Sequence, residues 1–372
     1  MKIAVFSDTF FPQINGVSRV LGKYLDYMDR NGIEYILFAP EKDERPYKGT
    51  IINLGGVKFP LYPELKISLP SQAKLKKHLD DFQPDIVHLI TQFSIGLAGM
   101  KYAKTHHLPI IASYHTNFDQ YLSFYHLPFL VKPVNKYMQW FYSFSQINFC
   151  PSQETLRQLR LIGLRNLEVC PNGVDQELFS PQFRNPQLRT LLSVDEKTPM
   201  LLYVGRIAWE KGLGVLMAAV KNLDQSGVSF KLVLVGDGPA REQLAKSSPD
   251  NVIFVGYKSG LELQELYASA DIFVFPSTTE TFGNVILEAM CSGLPVVAAR
   301  AGGVIDNVFD MYNGITFQPG DPVDMAKSIK VLIEDHELHS RLAANALVYA
   351  LSKTWDEIFD KFFAQLQEYS FQ

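Results

Sequence analysis

Lys2-Ile3-Ala4-Val5-Phe6-Ser7-Asp8 is a short apolar run that ends in a polar loop, and residues 17–30 then show helical spacing until Gly32 stops it. Strand, loop and helix in that order make a β-loop-α unit. The pattern recurs, with further apolar runs at 34–39, 85–90, 109–114, 147–150 and 167–170 that read as buried strands. Strands that alternate with helices predict a parallel, doubly wound sheet.

Pro171-Asn172-Gly173-Val174-Asp175 opens a polar, proline-bearing stretch that runs to Pro199, and there the alternation restarts with the apolar run 200–204. This marks a domain boundary. The second series continues at 231–235, 252–255, 272–275 and 295–298, each followed by helical or turn sequence. The expected fold class is therefore α/β, with two Rossmann-like domains at 1–172 and 173–354. Residues 355–372 form a third segment: Ile358, Phe359, Phe362, Phe363 and Leu366 recur at helical spacing, so a C-terminal helix should pack one face, back on the N-terminal domain.

The chain's 372 residues exceed what a single core usually organises, which also favours two domains. No uncharged apolar run reaches about 18 residues and the N-terminus lacks a cleavage pattern, so the expected location is cytoplasmic. Cys150, Cys170 and Cys291 have no metal-ligand spacing, and three cysteines make no disulfide framework, so they read as reduced thiols. The net charge of −4 hides an asymmetry: residues 1–172 carry 19 Lys+Arg against 14 Asp+Glu, whereas the remainder carries 16 against 25. Either the N-terminal half meets something anionic or scattered surface charge produces the same totals.

Ligands of parallel sheets gather at the carboxyl ends of strands, where loops and helix N-termini converge. Gly205-Arg206-Ile207-Ala208-Trp209-Glu210-Lys211-Gly212 leaves one such end and places two cations, Arg206 and Lys211, beside a helix start. They suit a diphosphate whose charge grows as its bond to a sugar breaks, although basic residues near helices are common on surfaces. In Val235-Gly236-Asp237-Gly238-Pro239, with a helix expected near Pro239, Gly236 and Gly238 either admit a ligand close to the backbone or make a tight connection. The chain has neither a GxGxxG fingerprint nor a Walker P-loop, which disfavours a dinucleotide dehydrogenase or a P-loop ATPase.

Pro276-Ser277-Thr278-Thr279-Glu280-Thr281-Phe282-Gly283-Asn284-Val285-Ile286-Leu287-Glu288 carries more weight. A helix starting around Phe282 or Gly283 would offer backbone N–H groups to phosphate oxygens, with Glu280 before it and Glu288 within it. Carboxylates accept hydrogen bonds from hydroxyls, so one could hold a sugar and the other a ribose. The plainer reading has Glu280 favouring the positive helix end and Glu288 facing solvent. Ala299-Arg300-Ala301-Gly302-Gly303-Val304 lines the same cleft or is a turn. In the first domain, Asp8-Thr9-Phe10-Phe11-Pro12-Gln13-Ile14-Asn15-Gly16-Val17 brings Gly16, and Ser113-Tyr114-His115-Thr116-Asn117-Phe118 brings His115, to strand ends.

Taken together these residues resemble the family-4 retaining glycosyltransferases of the GT-B fold, over essentially the whole chain. The resemblance rests on Asn15-Gly16-Val17, His115-Thr116, Pro171 to Asp175, Gly205-Arg206 with Glu210-Lys211-Gly212, Gly236 to Pro239, and Glu280 followed eight residues later by Glu288. It implies two Rossmann-like domains facing a central cleft and transfer of a hexose from a nucleoside diphosphate sugar with retention of configuration. By family likeness Arg206 and Lys211 stabilise the leaving diphosphate, Glu280 contacts the donor sugar, and Glu288 the ribose. Phe282, Gly283 and Asn284 assist at the phosphates, Gly16 closes from the N-terminal side, and His115 touches the sugar. The sequence lacks the Asp-x-Asp motif that coordinates a divalent metal in many other glycosyltransferases, so no metal and no cofactor beyond the donor are expected.

The start of the chain and Pro63-Glu64-Leu65-Lys66-Ile67-Ser68-Leu69-Pro70 resemble a branch of bacterial α-mannosyltransferases and glycolipid synthases. That favours GDP-mannose as donor, with UDP-glucose next, and the choice of base is expected near Tyr257 and Lys258. Residues 121–144 are rich in aromatics, with Lys132 and Lys136 interspersed and Lys74, Lys76 and Lys77 nearby in sequence. Such a stretch suits a lipid or glycan acceptor and peripheral contact with the inner face of a membrane, or else it is core. No nucleic-acid partner is expected. The other readings are an enzyme acting on a small sugar or sugar phosphate, and a non-catalytic nucleotide-sugar-binding protein.

Overall fold

The computed structural model describes residues 1–13, 15–59, 62–68, 70–116 and 128–370. Ile14, Leu69, Asn117, Phe118 and residues 121–127 of the aromatic stretch lie outside the described residues. The chain divides into two compact units, one of residues 1–172 with 355–372 and one of residues 173–354.

Unit 1 is built from β1 (Lys2–Phe6), β2 (Glu34–Ala39), β3 (Thr50–Asn53), a β4–β5 pair (Val57–Phe59 and Tyr62–Ile67), β6 (Ile86–Leu89), β7 (Ile110–Ser113), β8 (Ile147–Cys150) and β9 (Leu167–Val169). Its parallel sheet runs β3-β2-β1-β6-β7-β8-β9, whereas β4 and β5 pair antiparallel outside it. Unit 2 contributes β10 (Met200–Val204), β11 (Lys231–Val235), β12 (Val252–Gly256), β13 (Ile272–Phe275), β14 (Val296–Ala299) and β15 (Gly314–Phe317), in the order β12-β11-β10-β13-β14-β15. Each described pair within these two sheets is parallel. The two Rossmann-like domains expected from the alternation are thus present.

The strands are continuous apolar runs because helices cover both faces of each sheet, so successive side chains are buried on either side. Strands β3, β4, β5 and β15 were not anticipated. The first is a half-exposed edge, the pair β4–β5 is an isolated hairpin, and Gly314-Ile315-Thr316-Phe317 has too little apolar character to stand out. The stretch before Pro199 is also more than a connection. It contains the helix Pro186–Leu191, and its Arg189 is buried with bonds to the Ser269 carbonyl (2.8 Å) and the Asp271 carboxylate (2.9 Å). The helix expected near Pro239 starts at Arg241.

In both sheets the chain starts in the middle and turns outward in opposite directions, so strand order reverses beside β1 and beside β10. At such a switch point the flanking loops diverge and leave room for a ligand at the carboxyl ends. In unit 1 this brings the loop after β1 beside that after β6, where Asp8 is buried. Its carboxylate accepts from Thr91 Oγ1 (2.6 Å), Ser94 Oγ (2.9 Å) and the Ile95 backbone N–H (2.7 Å), capping the helix Ser94–Thr105. Burial raises the Asp8 pKa, and these hydrogen bonds pull against that rise.

The helix Trp355–Ser370 belongs to unit 1. Phe359, Phe362, Phe363 and Leu366 are buried; Phe363 stacks on Tyr24 and Tyr27, and Phe362 packs on Phe149 with ring centroids 4.6 Å apart. At the rim Tyr27 donates to Asp360 and Arg30 pairs with Asp356 at 2.6 Å. Burial of aromatic surface outweighs an exposed ion pair, so the two contacts should differ sharply in cost. Phe362→Ala is expected to destabilise unit 1 by about 3–5 kcal/mol, and Arg30→Ala by less than about 1 kcal/mol, as read from urea unfolding; equal effects would contradict this division.

Candidate functional site

The loop after β10 and the loop after β13 flank the switch point of unit 2, and backbone packing between loops decides where their side chains stand. Gly236 has φ +136°, and a Cβ there would lie 1.9 Å from the Gly205 carbonyl oxygen. A Cβ on Gly238 would meet the Ile207 carbonyl at 2.5 Å, while the Ile207 N–H donates to the Asp237 carbonyl at 2.9 Å. These two glycines therefore let the loop after β11 lie directly against the loop that carries Arg206. Tight connection, the plainer of the two readings of these glycines, accounts for both.

Gly212 works in the same way, with φ +74° and a would-be Cβ 2.5 Å from the Pro276 carbonyl. It ends the short turn Trp209–Lys211 and begins the helix Leu213–Gln225 close against the loop after β13. Lys211 consequently reaches Glu280, with Nζ 2.6 Å from Oε1, and Ser277 Oγ donates to the same oxygen at 3.1 Å. Both charges are largely but not wholly covered, at 14% and 20% exposure. Arg206 lies 3.8 Å from the buried Glu210 carboxylate through NH1. Two cations, each with a carboxylate neighbour, thus occupy the loop after β10.

The helix after β13 is Asn284–Cys291, one or two residues later than expected, because Gly283 adopts a left-handed conformation (φ +85°) at its N-cap. The positive end of this helix lies on the same loop as Glu280, four residues beyond it. Glu288 does not face solvent: it is 7% exposed and accepts from Tyr267 Oη at 2.9 Å. The loop after β14 lies on the back of this segment, where the Gly303 N–H donates to the Glu280 carbonyl at 2.8 Å. A Cβ on Gly303 would come within 2.0 Å of the Thr281 oxygen. Tyr257, at the end of β12, is half exposed, and Lys258 pairs with Glu262 at 2.7 Å.

In unit 1, Gly16 is the first residue of the helix Gly16–Arg30, and Asn15 caps that helix through Ser18. Gly16 is exposed and, among the described residues, a Cβ there would meet nothing within 4 Å, so neither their packing nor a positive φ demands glycine. His115 follows β7 and borders a cavity of about 40 Å³ together with His88, Ser113 and Asn172. Burial pushes its pKa down to about 4, so the ring is neutral at physiological pH. His88, which the sequence did not single out, bonds Ser113 Oγ at 2.8 Å and Tyr24 Oη at 3.2 Å, and burial lowers its pKa to about 3. Asp8, Tyr267 and Asn307 were likewise missed as site-shaping residues, since each acts through a partner distant in sequence, whereas Ser277 acts on Glu280 three residues along its own loop.

Among the described residues no group of three or more His, Cys, Asp or Glu side chains is disposed to hold a metal ion. The thiols of Cys150, Cys170 and Cys291 are unpaired with one another, and burial pushes each up to about 12, which makes them poor nucleophiles.

The chain has known relatives. The family described as Glycosyltransferase Family 4 matches residues 14–178, and Glycosyl transferases group 1 matches residues 186–348. The sulfoquinovosyl transferase of Arabidopsis thaliana is 33% identical over 90% of this chain and 67% of its own length. A GDP-mannose-dependent alpha-mannosyltransferase of Corynebacterium glutamicum is 32% identical over 96% of this chain and 86% of its own. Among solved structures, Anabaena HepE in complex with UDP and glucose superposes with a TM-score of 0.79, covering 99% of each chain at 22% identity. With its two Rossmann-like domains and both halves matched, the chain belongs to the family-4 glycosyltransferases.

Proposed function

We propose that the protein is a retaining hexosyltransferase that takes its sugar from a nucleoside diphosphate donor, GDP-mannose ahead of UDP-glucose, and works without a metal ion. The observation that carries this reading is the Lys211–Glu280 pair beside the start of the helix Asn284–Cys291. A cation, a carboxylate and a positive helix end converge there, and a sugar diphosphate needs all three. Lys211 and Arg206 take the charge that develops on the leaving diphosphate, and backbone groups of Phe282, Gly283 and Asn284 bind its oxygens. Glu280 accepts from hydroxyls of the transferred sugar and Glu288 from those of the ribose. Gly236 and Gly238 shape the donor loop, while Gly16 and the neutral His115 are the contacts from unit 1.

The acceptor hydroxyl attacks the anomeric carbon on the face that the diphosphate leaves. The carbon–oxygen bond to phosphate breaks, and the leaving phosphate takes the hydroxyl proton. Configuration is retained without a carboxylate nucleophile, so Glu280 binds the donor rather than attacking it. The preference for GDP-mannose is supported by the relatives of that name in Corynebacterium glutamicum and Mycobacterium tuberculosis, the latter 31% identical over 97% of this chain.

A lipid acceptor is supported by exposed aromatic and basic side chains of unit 1. Lys132, Lys136 and Trp140 recur every four residues on the exposed side of the helix Val131–Tyr142, below exposed Phe129, with Trp140 47% exposed. Trp140 packs on Phe144, whose ring lies 3.6 Å from the Lys104 ammonium, and Lys74, Lys76 and Lys77 are exposed on the helix Gln72–Phe82. Exposed aromatics among lysines suit peripheral contact with an anionic bilayer. No helix among the described residues is long and apolar enough to cross a membrane.

Thermal shift with GDP, UDP, ADP, GDP-mannose, UDP-glucose and UDP-glucuronate tests the donor: stabilisation selective for one base is expected, and none at all would overturn the nucleotide-sugar reading. Turnover should persist in EDTA. Arg206→Ala and Lys211→Ala are expected to lower kcat by about 10²–10³-fold, since they act on charge that develops late. Glu288→Ala should act mainly on donor KM; wild-type turnover by both cation variants would sink the assignment. Sedimentation with vesicles containing phosphatidylglycerol should fall when Lys132 and Lys136 are both replaced by Glu, and undiminished binding would remove the membrane contact.

A further inference from the structure

The segment of residues 302–313 in unit 2 carries buried polar groups that the donor contacts above leave unused. Asn307 is 2% exposed and follows the short turn Gly302–Asp306. Its Nδ2 donates to the Phe282 carbonyl at 2.9 Å, while Tyr349 Oη donates to its Oδ1 at 3.1 Å. A backbone carbonyl only accepts, so the amide group must face Phe282 and the side-chain oxygen must face the phenol. Tyr349 shares its single hydroxyl proton between this oxygen and the Asp306 carbonyl, also at 3.1 Å, and burial pushes its pKa up to about 12, which keeps it protonated and donating. Behind Asn307, the fully buried Asn313 donates to the Asn307 carbonyl at 2.9 Å and accepts from the Phe309 N–H at 2.7 Å.

This segment holds the loop after β13 at two points spaced two residues apart. The Gly303 N–H binds the Glu280 carbonyl and the Asn307 amide binds the Phe282 carbonyl. Between them, Thr281 rests its carbonyl against Gly303, where a side chain would not fit. The residues that touch the donor in the proposed function, Glu280 and 282–284, are therefore templated from behind, and the Asn307 point is itself braced by the helix His336–Leu351 through Tyr349.

We propose that Asn307 is a positioning residue for donor binding: the buried relay Tyr349–Asn307–Phe282 fixes the loop that presents Glu280 and the N-terminus of the helix Asn284–Cys291. It rests on the assignment of that loop to the donor. Asn307 touches no substrate and acts through the Phe282 carbonyl. Asn307→Asp keeps the shape but replaces the donating amide with an oxygen that faces another oxygen, so the loop loses its second anchor.

The test combines hydrogen exchange of the unliganded variant with steady-state kinetics of the full chain. Asn307→Asp is expected to speed exchange of the 280–286 amides, leave exchange of β10 and β13 unchanged, and raise donor KM by about tenfold with kcat within about threefold and acceptor KM unaltered. Tyr349→Phe, which leaves the amide in place but unbraced, should shift exchange and donor KM the same way by less. Unchanged exchange and unchanged donor KM in both variants would overturn the proposal, as would an equal loss of protection across all of unit 2. Faster loop exchange in a protein whose wild type binds no nucleoside diphosphate would instead uphold the anchoring and overturn the donor assignment.

Discussion

A parallel strand can be followed in its sheet only through a crossover, and a chain that begins a sheet in the middle must build outward on one side and then the other. Both units of this protein obey that constraint, with β1 and β10 as the central starting strands. The loops on either side of the starting strand run in opposite directions and leave a crevice at the carboxyl ends. In unit 2 those are the loops after β10 and β13, which hold Arg206, Lys211 and Glu280. The position of the site follows from topology before any side chain is considered.

Glycine then sets how close the loops come. Gly212 against Pro276, Gly236 against Gly205 and Gly303 against Thr281 are contacts of backbone on backbone, each closed to any residue with a Cβ. They bring Lys211 to Glu280 across 69 positions of sequence. Gly16 is different in kind, because among the described residues nothing lies within 4 Å of a Cβ built there and its φ is not positive.

Electrostatics in this glycosyltransferase is local. Residues 173–372 carry an excess of acidic side chains, 25 against 16 basic, although the donor of the proposed reaction is an anion. Net charge therefore says little about the candidate site, where two largely covered cations lie within a few ångströms of carboxylates and near a helix end. Residues 1–172 carry the basic excess, where Lys132 and Lys136 share the exposed side of the helix Val131–Tyr142 with Trp140.

Alternation of apolar runs with helical spacing is a local property, and it was enough to identify two parallel sheets, to place most of their strands within a residue or two, and to find the loops that carry Arg206, Lys211, Glu280 and Glu288. Edge strand β3 escaped because it is half covered and needs no continuous apolar run, and β15 because Gly314 and Thr316 interrupt its short apolar run although it is buried. The roles of Asp8, Tyr267, Asn307 and Arg189 also escaped, since each is defined by a partner some 20 to more than 80 positions away. Whether Glu288 faces solvent or interior was undecidable from its neighbours in the chain; the fold decided it by setting Tyr267 against it. Sequence alone determined the type of the central strands and their helices and the residue chemistry of the loops between them, because both depend on residues adjacent in the chain. The tertiary structure decided which carboxylate meets which cation and which glycine serves packing, because hydrogen bonds and steric contacts act only across the distances that sheet order creates.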